Sequence, residues 1–201
     1  MNITEKATIL HYHRSRMQEN PGTVFALGYR SGESQTKRFE ALTSSFDING
    51  CAVLDIGCGH GDLKGFLDAR FHGFGYVGID MMAEFVLQAR ALHGNRPSCY
   101  FCVADLETAQ LPKADYVFAS GILGYRSADP AHHFSMIEKM YGAAGKALAF
   151  NMLDRDVFPD HPLLIGHDMT KVKKFCEGIS GNVSLVRGYL EDDFTMVLCR
   201  D

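Results

Sequence analysis

A run of glycines after a short apolar stretch is the part of the sequence best suited to bind a ligand. Apolar residues lead into Asp55, and a Gly-x-Gly-x-Gly pattern over residues 57–61 follows before a helical pattern begins. Glycine allows a sharp turn and lets a ligand come into contact with the backbone. The start of a helix adds unpaired N–H groups and partial positive charge. The segment is therefore typical of a nucleotide-type ligand site between a buried strand and a helix.

A second acid, Asp80, ends the next apolar run and narrows the choice of nucleotide. A carboxylate at the end of a second strand, beside the glycine turn, can accept hydrogen bonds from both hydroxyls of a ribose. NAD fits poorly, because the glycines lack the Gly-x-Gly-x-x-Gly spacing and because Asp55 would repel a pyrophosphate. A cationic ligand, or one with an amino group, suits Asp55 better.

Short apolar runs indicate the strands that position these acids. Only Glu191, Asp192 and Asp193 separate two runs over residues 183–190 and 194–199, which is too short for a parallel crossover, so these strands should form an antiparallel hairpin. The earlier runs have long or helical connections, which predicts parallel strands covered on both faces. These predicted strands span residues 51–56, 76–80, 99–105, 114–120 and 146–153.

Helical periodicity accounts for most of the connections. The predicted helix over residues 81–93 places Phe85, Val86, Ala89 and Leu92 on one face, and Asn95-Arg96-Pro97 should end it. The other predicted helices span residues 35–46, 62–70, 131–141 and 167–179.

Four motifs lie at these predicted strands: residues 53–61 (VLDIGCGHG), 77–80 (VGID), 103–106 (VADL) and 114–120 (ADYVFAS). By these motifs the chain resembles the class I S-adenosylmethionine-dependent methyltransferases over about residues 35–200. The resemblance implies a doubly wound, Rossmann-like α/β fold with a seven-stranded sheet in the order 3-2-1-4-5-7-6 and strand 7 antiparallel. That orientation agrees with the hairpin predicted from the short loop. Two other functions stay open, a non-catalytic S-adenosylmethionine-binding partner or sensor and a nucleotide-dependent oxidoreductase.

The resemblance implies roles for the residues of these motifs. Gly57 and Gly59 would contact the methionine and ribose parts of S-adenosylmethionine, and Asp55 would lie near its amino group. Asp80 would bind both ribose hydroxyls, and Asp105 would accept from the adenine amino group. Met81 would pack on adenine, and the Leu106 N–H would face a nitrogen of its ring. Ser120 and Gly121 would line the part of the site that holds the methionine. The full cofactor-binding set implied is Arg38, Asp55, Gly57, Cys58, Gly59, Asp80, Met81, Asp105, Leu106, Ser120 and Gly121.

Residues 28–39 (GYRSGESQTKRF), before the first motif, contain a glycine-aromatic pair, a serine and a Gln-x-x-Arg-Phe sequence. This stretch resembles one found in a subset of small bacterial methyltransferases, where it folds over the cofactor. Residues 1–46 are therefore expected to form a helical lid on a single methyltransferase domain spanning residues 1–201. By the same resemblance Arg38 is a candidate to pair with the cofactor carboxylate, because arginine forms bidentate pairs with carboxylates. Weaker candidates for this pocket are Tyr12, Tyr29, Ser34 and Gln35.

Methyl transfer requires the acceptor about 3 Å from the methyl group and in line with it, with a base only where the acceptor must first lose a proton. The acceptor should lie beyond the carboxyl ends of the fourth and fifth strands. His132 or His133 is the first candidate for the base, since imidazole titrates near neutral pH, and Tyr125 could orient the acceptor. The His11-x-His13 pair could act from the N-terminal lid, although an exposed pair without a role is the favoured interpretation. Other candidates in these loops are Arg126, Asn151, Asp154, His161, Tyr189 and Asp192.

Composition argues against several classes of partner. The 201 residues suit one α/β domain, and a net charge of −4 without a basic run disfavours nucleic acid or an anionic membrane surface. No signal peptide or long apolar span is evident, and six cysteines suggest free thiols in a reducing cytoplasm. Cys99 and Cys102 should face opposite sides of a strand, so no metal site is predicted.

The loop after the fourth predicted strand bears on the acceptor. Nucleic-acid amino-methyltransferases of this fold carry an Asn/Asp-Pro-Pro-aromatic turn there, whereas this chain has Ser120-Gly121-Ile122-Leu123. A Pro-Cys nucleophile for pyrimidine chemistry is also missing. The sequence therefore predicts a small-molecule acceptor and leaves open whether nitrogen, oxygen, sulfur or carbon is methylated.

Overall fold

The computed structural model describes residues 1–94 and 98–200, and these contain one seven-stranded sheet in the order β3-β2-β1-β4-β5-β7-β6. The sheet order predicted from the sequence is confirmed. The predicted strands agree with the observed ones to within about three residues at each end. The strands are β1 Ala52–Ile56, β2 Gly75–Asp80, β3 Cys99–Val103, β4 Ala114–Ala119, β5 Ala144–Leu153, β6 Asn182–Arg187 and β7 Asp193–Cys199.

In the part of the chain that the structure describes, six helices and a short 3₁₀ turn at Ile122–Gly124 connect or precede the strands. The first helix begins at a capping box, in which the Asn2 side chain accepts from the Glu5 N–H at 2.9 Å and the Glu5 carboxylate accepts from the Asn2 N–H at 2.7 Å. The helices are α1 Ile3–Glu19, α2 Gly32–Thr43, α3 Asp62–Asp68, α4 Ala83–His93, α5 His132–Ala143 and α6 Met169–Ile179.

Strand β7 is antiparallel to both of its neighbours, while β1 to β5 pair in parallel. The predicted hairpin is thus confirmed, and Arg187 pairs with Phe194 next to its turn. The long β5 pairs with β4 on one side and with β7 on the other. Parallel pairing brings the carboxyl ends of β1, β2, β3, β4 and β5 to one edge, where ligands bind in open α/β sheets.

Alternating side chains of β1 enter two separate cores. Leu54 and Ile56 pack on the face that carries α5 and α6, whereas Val53 packs on the face that carries α2, α3 and α4. Full burial of one large aliphatic side chain contributes about 1.5–3 kcal/mol. Both faces of the central strand are covered, so its position under the glycine turn is well determined.

The exposure of individual side chains on α4 and β3 tests two further predictions. Leu92 was expected on the buried face of α4, which is wrong, because its side chain is 58% exposed. Cys99 is buried and Cys102 exposed, as the alternation along a strand predicts.

The predicted helix end at Asn95-Arg96-Pro97 lies outside the described residues. Within residues 1–94 and 98–200, no helix has the length and apolarity needed to cross a bilayer.

Candidate active site

The turn after β1 has a backbone that only glycine adopts without strain. Gly57, Gly59 and Gly61 have φ of +74°, +53° and +81°. A Cβ on Gly57 would overlap the side chain of Ile122, and a Cβ on Gly59 would lie 2.7 Å from the Leu27 Cδ2 atom. The turn therefore needs glycine, both because its φ angles are positive and because neighbouring side chains leave no room for a Cβ atom.

Asp80, at the end of β2, supports this turn. Its Oδ2 accepts the Gly59 N–H at 2.9 Å, and its Oδ1 accepts the Met82 N–H at 2.8 Å. Burial raises the pKa of Asp80 to about 6, although these backbone N–H groups act in the opposite direction. Each oxygen has further acceptor capacity, so the carboxylate can bind two more hydroxyl donors.

Asp55 is buried at the end of β1 and has no cationic partner among the described residues. It accepts a hydrogen bond from the Tyr76 hydroxyl. Burial raises the pKa of Asp55 to about 7, and the nearby Asp80 and Asp62 act in the same direction. A cationic ligand beside this carboxyl would favour its ionised form.

Asp105 follows β3 and is held by the first helix. Its Oδ2 accepts from the Lys6 Nζ at 2.6 Å, and its Oδ1 accepts the Glu107 N–H at 2.9 Å. Lys6 also forms an ion pair with the Glu107 side chain. Helix α1 therefore lies across the end of β3, and the ion pairs of Lys6 with Asp105 and Glu107 hold it there.

Ser120 and Gly121 follow β4 and lie within a network of polar side chains. The Ser120 Oγ lies 2.9 Å from the Tyr29 hydroxyl and accepts from the Asn151 Nδ2 at 3.3 Å. The Asn151 Oδ1 accepts the Gly121 N–H at 2.8 Å. Asn151, expected only in the acceptor loops, thus fixes the backbone after β4.

Arg38 on α2 is buried and already has a carboxylate partner. Its Nε donates to the Asp193 Oδ2 at 2.8 Å, and its guanidinium lies 5.3 Å from the centre of the Tyr29 ring. Burial raises the pKa of Asp193 to about 6 although Arg38 acts in the opposite direction. A Cβ on Gly121 would lie 4.0 Å from the Arg38 Nη1, so the other edge of the guanidinium faces the end of β4.

One cavity of about 260 Å³ lies above these strand ends. All eleven residues of the predicted cofactor-binding set line it, as do Tyr12, Tyr29, Ser34 and Gln35. Its wall also contains residues that the sequence analysis did not single out. They include Lys6, Leu27, Asp62, Glu107 and Asp193. Nothing near Lys6 or Leu27 in the sequence marks either as part of the site, although the capping box at Asn2 could have located α1.

The structure brings two of the three predicted catalytic residues to the cavity. Tyr125 and His132 line it. His133 does not, because its ring packs 4.4 Å from that of His167 and its Nε2 donates to the Tyr125 carbonyl at 2.9 Å. Burial lowers the pKa of His133 to about 4. The His132 Nδ1 lies 3.0 Å from the Glu107 carboxylate, and burial lowers the pKa of His132 as well.

His13 differs most from expectation. Although His11 is exposed, His13 is only 7% exposed and lines the cavity, so the expected exposed pair is wrong. Its Nδ1 lies 3.1 Å from the Ala26 carbonyl oxygen, and its Nε2 lies 2.5 Å from the Tyr125 hydroxyl.

The remaining acceptor-loop candidates divide between the cavity and its surroundings. Asn151 and Asp192 line the cavity, and Asp192 is paired with Arg30 at 2.5 Å. The others are outside the lining: Arg126, Asp154, His161 and Tyr189. Within the described part of the chain no group of three or more histidine, cysteine or acidic side chains is arranged to hold a metal.

The sequence matches a family model and several curated proteins. Residues 53–144 match a family model described as a methyltransferase domain. The chain contains a methyltransferase domain. A putative methyltransferase of Mycobacterium tuberculosis, Rv1506c, is 35% identical over 109 residues, which are 51% of this chain and 63% of the relative. The trans-aconitate 2-methyltransferase of Methylobacterium radiotolerans is 29% identical over 56% of this chain and 42% of the relative. The chain thus spans less than two thirds of both curated relatives.

Solved structures agree on the fold of this methyltransferase domain. Magnesium protoporphyrin IX methyltransferase from Synechocystis PCC 6803 with bound SAH superposes with a TM-score of 0.72 at 17% identity, covering 98% of this chain and 100% of that one. A DhpI–SAM–HEP complex gives 0.72 at 16% identity, covering 100% of each chain. The class I methyltransferase fold predicted from the motifs is therefore confirmed.

Proposed function

We propose that this domain transfers a methyl group from S-adenosylmethionine to a small-molecule acceptor. The observation that carries the proposal is the meeting of Asp80, Asp55 and the bare glycine turn in one cavity. Asp80 retains acceptor capacity for ribose hydroxyls, and the uncompensated Asp55 carboxyl suits a cation. S-adenosylmethionine carries both a ribose diol and positive charge, so the residues present fit it.

The cofactor contacts would divide along the cavity. Asp80 would hold the ribose, Asp105 and Leu106 would hold the adenine beside Met81, and Gly57 with Gly59 would contact the sugar and methionine. Asp55 would attract the amino group. Ser120, Gly121 and Arg38 would hold the methionine end, Cys58 would complete the floor, and the bound cofactor would supply an electrophilic methyl group.

Arg38 can bind the methionine carboxylate and keep its pair with Asp193 if the two carboxylates contact different edges of the guanidinium. Its Nε and Nη2 are used by Asp193. The Nη1 edge near Gly121 is the part left for a ligand carboxylate. We propose that Arg38 binds through this edge, which replaces the bidentate pair expected from the sequence with a single charged hydrogen bond.

The N-terminal segment would act as the predicted lid of a single domain. Helix α1 is attached to the segment after β3 by Lys6 on Asp105 and to α4 by Arg14 on Glu84 at 2.7 Å. Tyr12 and His13 extend from it into the cavity lining. A cavity of about 260 Å³ enclosed in this way suits a small acceptor rather than a macromolecule. The magnesium protoporphyrin IX and trans-aconitate named for similar proteins support a small acceptor.

Tyr125 and His132 are the residues best placed to contact the acceptor, since both line the cavity outside the cofactor-binding set. His133 would instead support the loop after β4 through the Tyr125 carbonyl. The six cysteines are free thiols, which supports the reducing, cytoplasmic compartment expected from the sequence.

Calorimetric titration with S-adenosylhomocysteine tests the cofactor part of this proposal, with NAD as the comparison ligand. We expect binding of S-adenosylhomocysteine and none of NAD. Incubation with labelled S-adenosylmethionine and small-molecule extracts then tests transfer. Binding of the cofactor without transfer to any acceptor would favour a sensor over an enzyme, and tight binding of NAD would overturn the proposal.

A further inference from the structure

His13 and Tyr125 form a hydrogen-bonded pair whose direction the structure determines. The Ala26 carbonyl can only accept, so the His13 Nδ1, 3.1 Å away, must carry the proton. In the neutral ring the Nε2 is then an acceptor, and the Tyr125 hydroxyl donates to it at 2.5 Å. The lone pairs of the phenol oxygen remain available to accept a proton from the cavity side.

The surroundings of His13 keep its ring neutral. Burial lowers the pKa of His13, and Arg16 and His60 act in the same direction, while the Ala26 carbonyl opposes them. Phe85 of α4 packs against the ring with centroids 5.3 Å apart, and Tyr12 packs against it at 5.2 Å. A neutral imidazole can accept a proton, as a general base requires.

The charges in the cavity wall disfavour an anionic acceptor. Lys6, Arg30 and Arg38 are the lysine and arginine side chains among the described wall residues, and each is paired with a carboxylate. At least seven carboxylates line the same wall. A carboxylate acceptor would find no unpaired cation among these residues and would face a strongly acidic surface. The seven acids are Asp55, Asp62, Asp80, Asp105, Glu107, Asp192 and Asp193.

We propose that Tyr125, backed by His13, accepts the proton of a neutral hydroxyl-bearing acceptor, so that the methylated atom is a hydroxyl oxygen. This inference rests on the proposed function. A hydroxyl must lose its proton to become a good nucleophile, whereas a carboxylate has none to lose and a neutral amine attacks without a base. The paired phenol and imidazole therefore suit a hydroxyl best.

The proton path is balanced within the two side chains. The acceptor oxygen forms its bond to the methyl carbon while the carbon–sulfur bond breaks, with its electron pair remaining on sulfur. The hydroxyl proton moves to the Tyr125 oxygen, and the Tyr125 proton moves to the His13 Nε2. The resulting imidazolium keeps its Nδ1–H bond to the Ala26 carbonyl and later returns the proton to solvent. Tyr125 is the catalytic residue here, and His13 acts through it.

Two substitutions separate proton acceptance from orientation. In His13→Gln the amide can still accept from Tyr125 and donate to Ala26, but it cannot take up a proton. Tyr125→Phe removes the hydroxyl and keeps the ring. His11→Gln, on the exposed face of the same helix, is the matched control.

The experiment first measures binding of S-adenosylhomocysteine to the unmodified protein, the three single variants and the double variant of His13→Gln with Tyr125→Phe, and we expect dissociation constants within twofold of one another. Failure of the unmodified protein to bind would overturn the proposed function itself. Histidine ¹⁵N NMR at pH 7 then reports the tautomer of His13, assigned by its absence in His13→Gln. We expect the Nδ1–H tautomer, and an Nε2–H tautomer would overturn the inference even where cofactor binding is normal. This readout also decides the matter where Tyr125→Phe fails to fold, and the Nδ1–H coupling across the bond to the Ala26 carbonyl assigns His13 where His13→Gln does.

The acceptor class is read from the product formed with methyl-tritiated S-adenosylmethionine and a small-molecule extract of the source cells. A methyl ether stays with its carrier in alkali, a methyl ester releases volatile tritiated methanol, and a methylamine is retained on a cation exchanger. We expect an alkali-stable, non-basic product that releases its label as methyl iodide in hot hydriodic acid, which leaves a C-methyl group intact, and that mild peroxide does not convert to a sulfoxide, as it would a methyl thioether. Label released by alkali, basic label, label that fails either of these two tests, or no label at all in a protein that binds S-adenosylhomocysteine would overturn the assignment of a hydroxyl.

The initial rate of labelling completes the test. We expect His13→Gln and Tyr125→Phe each to lower it about 100-fold or more, and the double variant to be no slower than the slower single one, because the two side chains act as a unit. His11→Gln should match the unmodified protein. A His13→Gln variant that keeps its full rate would reduce His13 to an orienting role and overturn the proton path.

Discussion

The Asp80 carboxylate accepts the Gly59 N–H at 2.9 Å, which joins the end of β2 to the glycine turn after β1. The same carboxylate also accepts the Met82 N–H at the start of α4. One buried side chain therefore holds two backbone segments that form the floor of the cavity. Its conformation is set before any ligand arrives, which reduces the ordering that binding requires.

We first predict that Asp80→Ala weakens binding of S-adenosylhomocysteine by about 1.5–3 kcal/mol, the usual contribution of hydrogen bonds to a charged group. Calorimetric titration measures this. Asp156→Ala, at an exposed position, is the control and should bind normally. An unchanged affinity in Asp80→Ala would remove Asp80 from the cofactor site.

The glycine turn gives a second prediction. Gly57→Ala should lower the affinity for S-adenosylhomocysteine more than tenfold and also destabilise the fold, because the new Cβ adds an overlap with Ile122 to the cost of a positive φ. Gly188→Ala is a matched control, since Gly188 has φ +86° and nothing within 4 Å of its Cβ position. Its cost should be the backbone strain alone, about 1–3 kcal/mol, with normal binding. Equal effects of the two substitutions would contradict this account.

A third prediction concerns the pH dependence of stability. The pKa of Asp55 is about 7 in the fold and about 3.9 in an unfolded chain. The folded state therefore holds this proton more tightly than the unfolded chain does. The contribution of the bound proton to the free energy of unfolding is complete below about pH 4 and is lost as the pH rises through 7. Asp55→Asn removes this loss.

Thermal unfolding between pH 5 and 8 measures the effect. The Tm advantage of Asp55→Asn over the unmodified protein should widen by about 5 °C or more across this range. Comparison of the two proteins cancels the contributions of other acids, such as Glu107, to the pH dependence of Tm. The ion pair with Lys6 helps to lower the pKa of Glu107 to about 2, against the opposing effect of burial. A constant difference in Tm would show that Asp55 ionises normally.

A fourth prediction concerns the buried pair that joins α2 to β7. Arg38→Met should lower the free energy of unfolding by about 3–5 kcal/mol, because it leaves the buried Asp193 carboxylate without its partner. Asp193→Asn in the same protein should recover part of the loss. Urea denaturation measures both variants.

Lys37→Met is the control for this pair, since Lys37 makes an exposed i,i+4 pair with Glu33 on the same helix. We expect it to cost at most about 0.5 kcal/mol. A loss below about 1 kcal/mol in Arg38→Met would mean that solvent reaches Asp193.

Much of the cofactor floor could be predicted because local spacing determines it. A carboxylate at the end of each of two adjacent parallel strands, with glycines between, fits few other arrangements, and Asp55 and Asp80 indeed line the same cavity. The antiparallel β7 followed from a loop too short for a crossover. In both cases neighbours along the chain or in adjacent strands carry the information.

The acceptor side was harder to predict because its contacts join distant parts of the chain. His13 and Tyr125 are 112 residues apart, and nothing in the sequence of α1 shows that its His13 face is covered. His132 and His133 are adjacent, yet only His132 lines the cavity, because successive residues of a helix point in different directions.

The sequence by itself determined the glycine turn, the terminal hairpin and the acids at the strand ends, since short-range sterics and the periodicity of buried strands suffice for these. The sheet order followed from the resemblance of its motifs to those of the class I methyltransferases. Only the tertiary structure decided that Arg38 is already paired with Asp193, that α1 is attached through Lys6, and that His13 supports Tyr125. Each of these contacts depends on how a helix docks on the sheet. The docking is set by the packing of whole surfaces, which no local pattern of residues records.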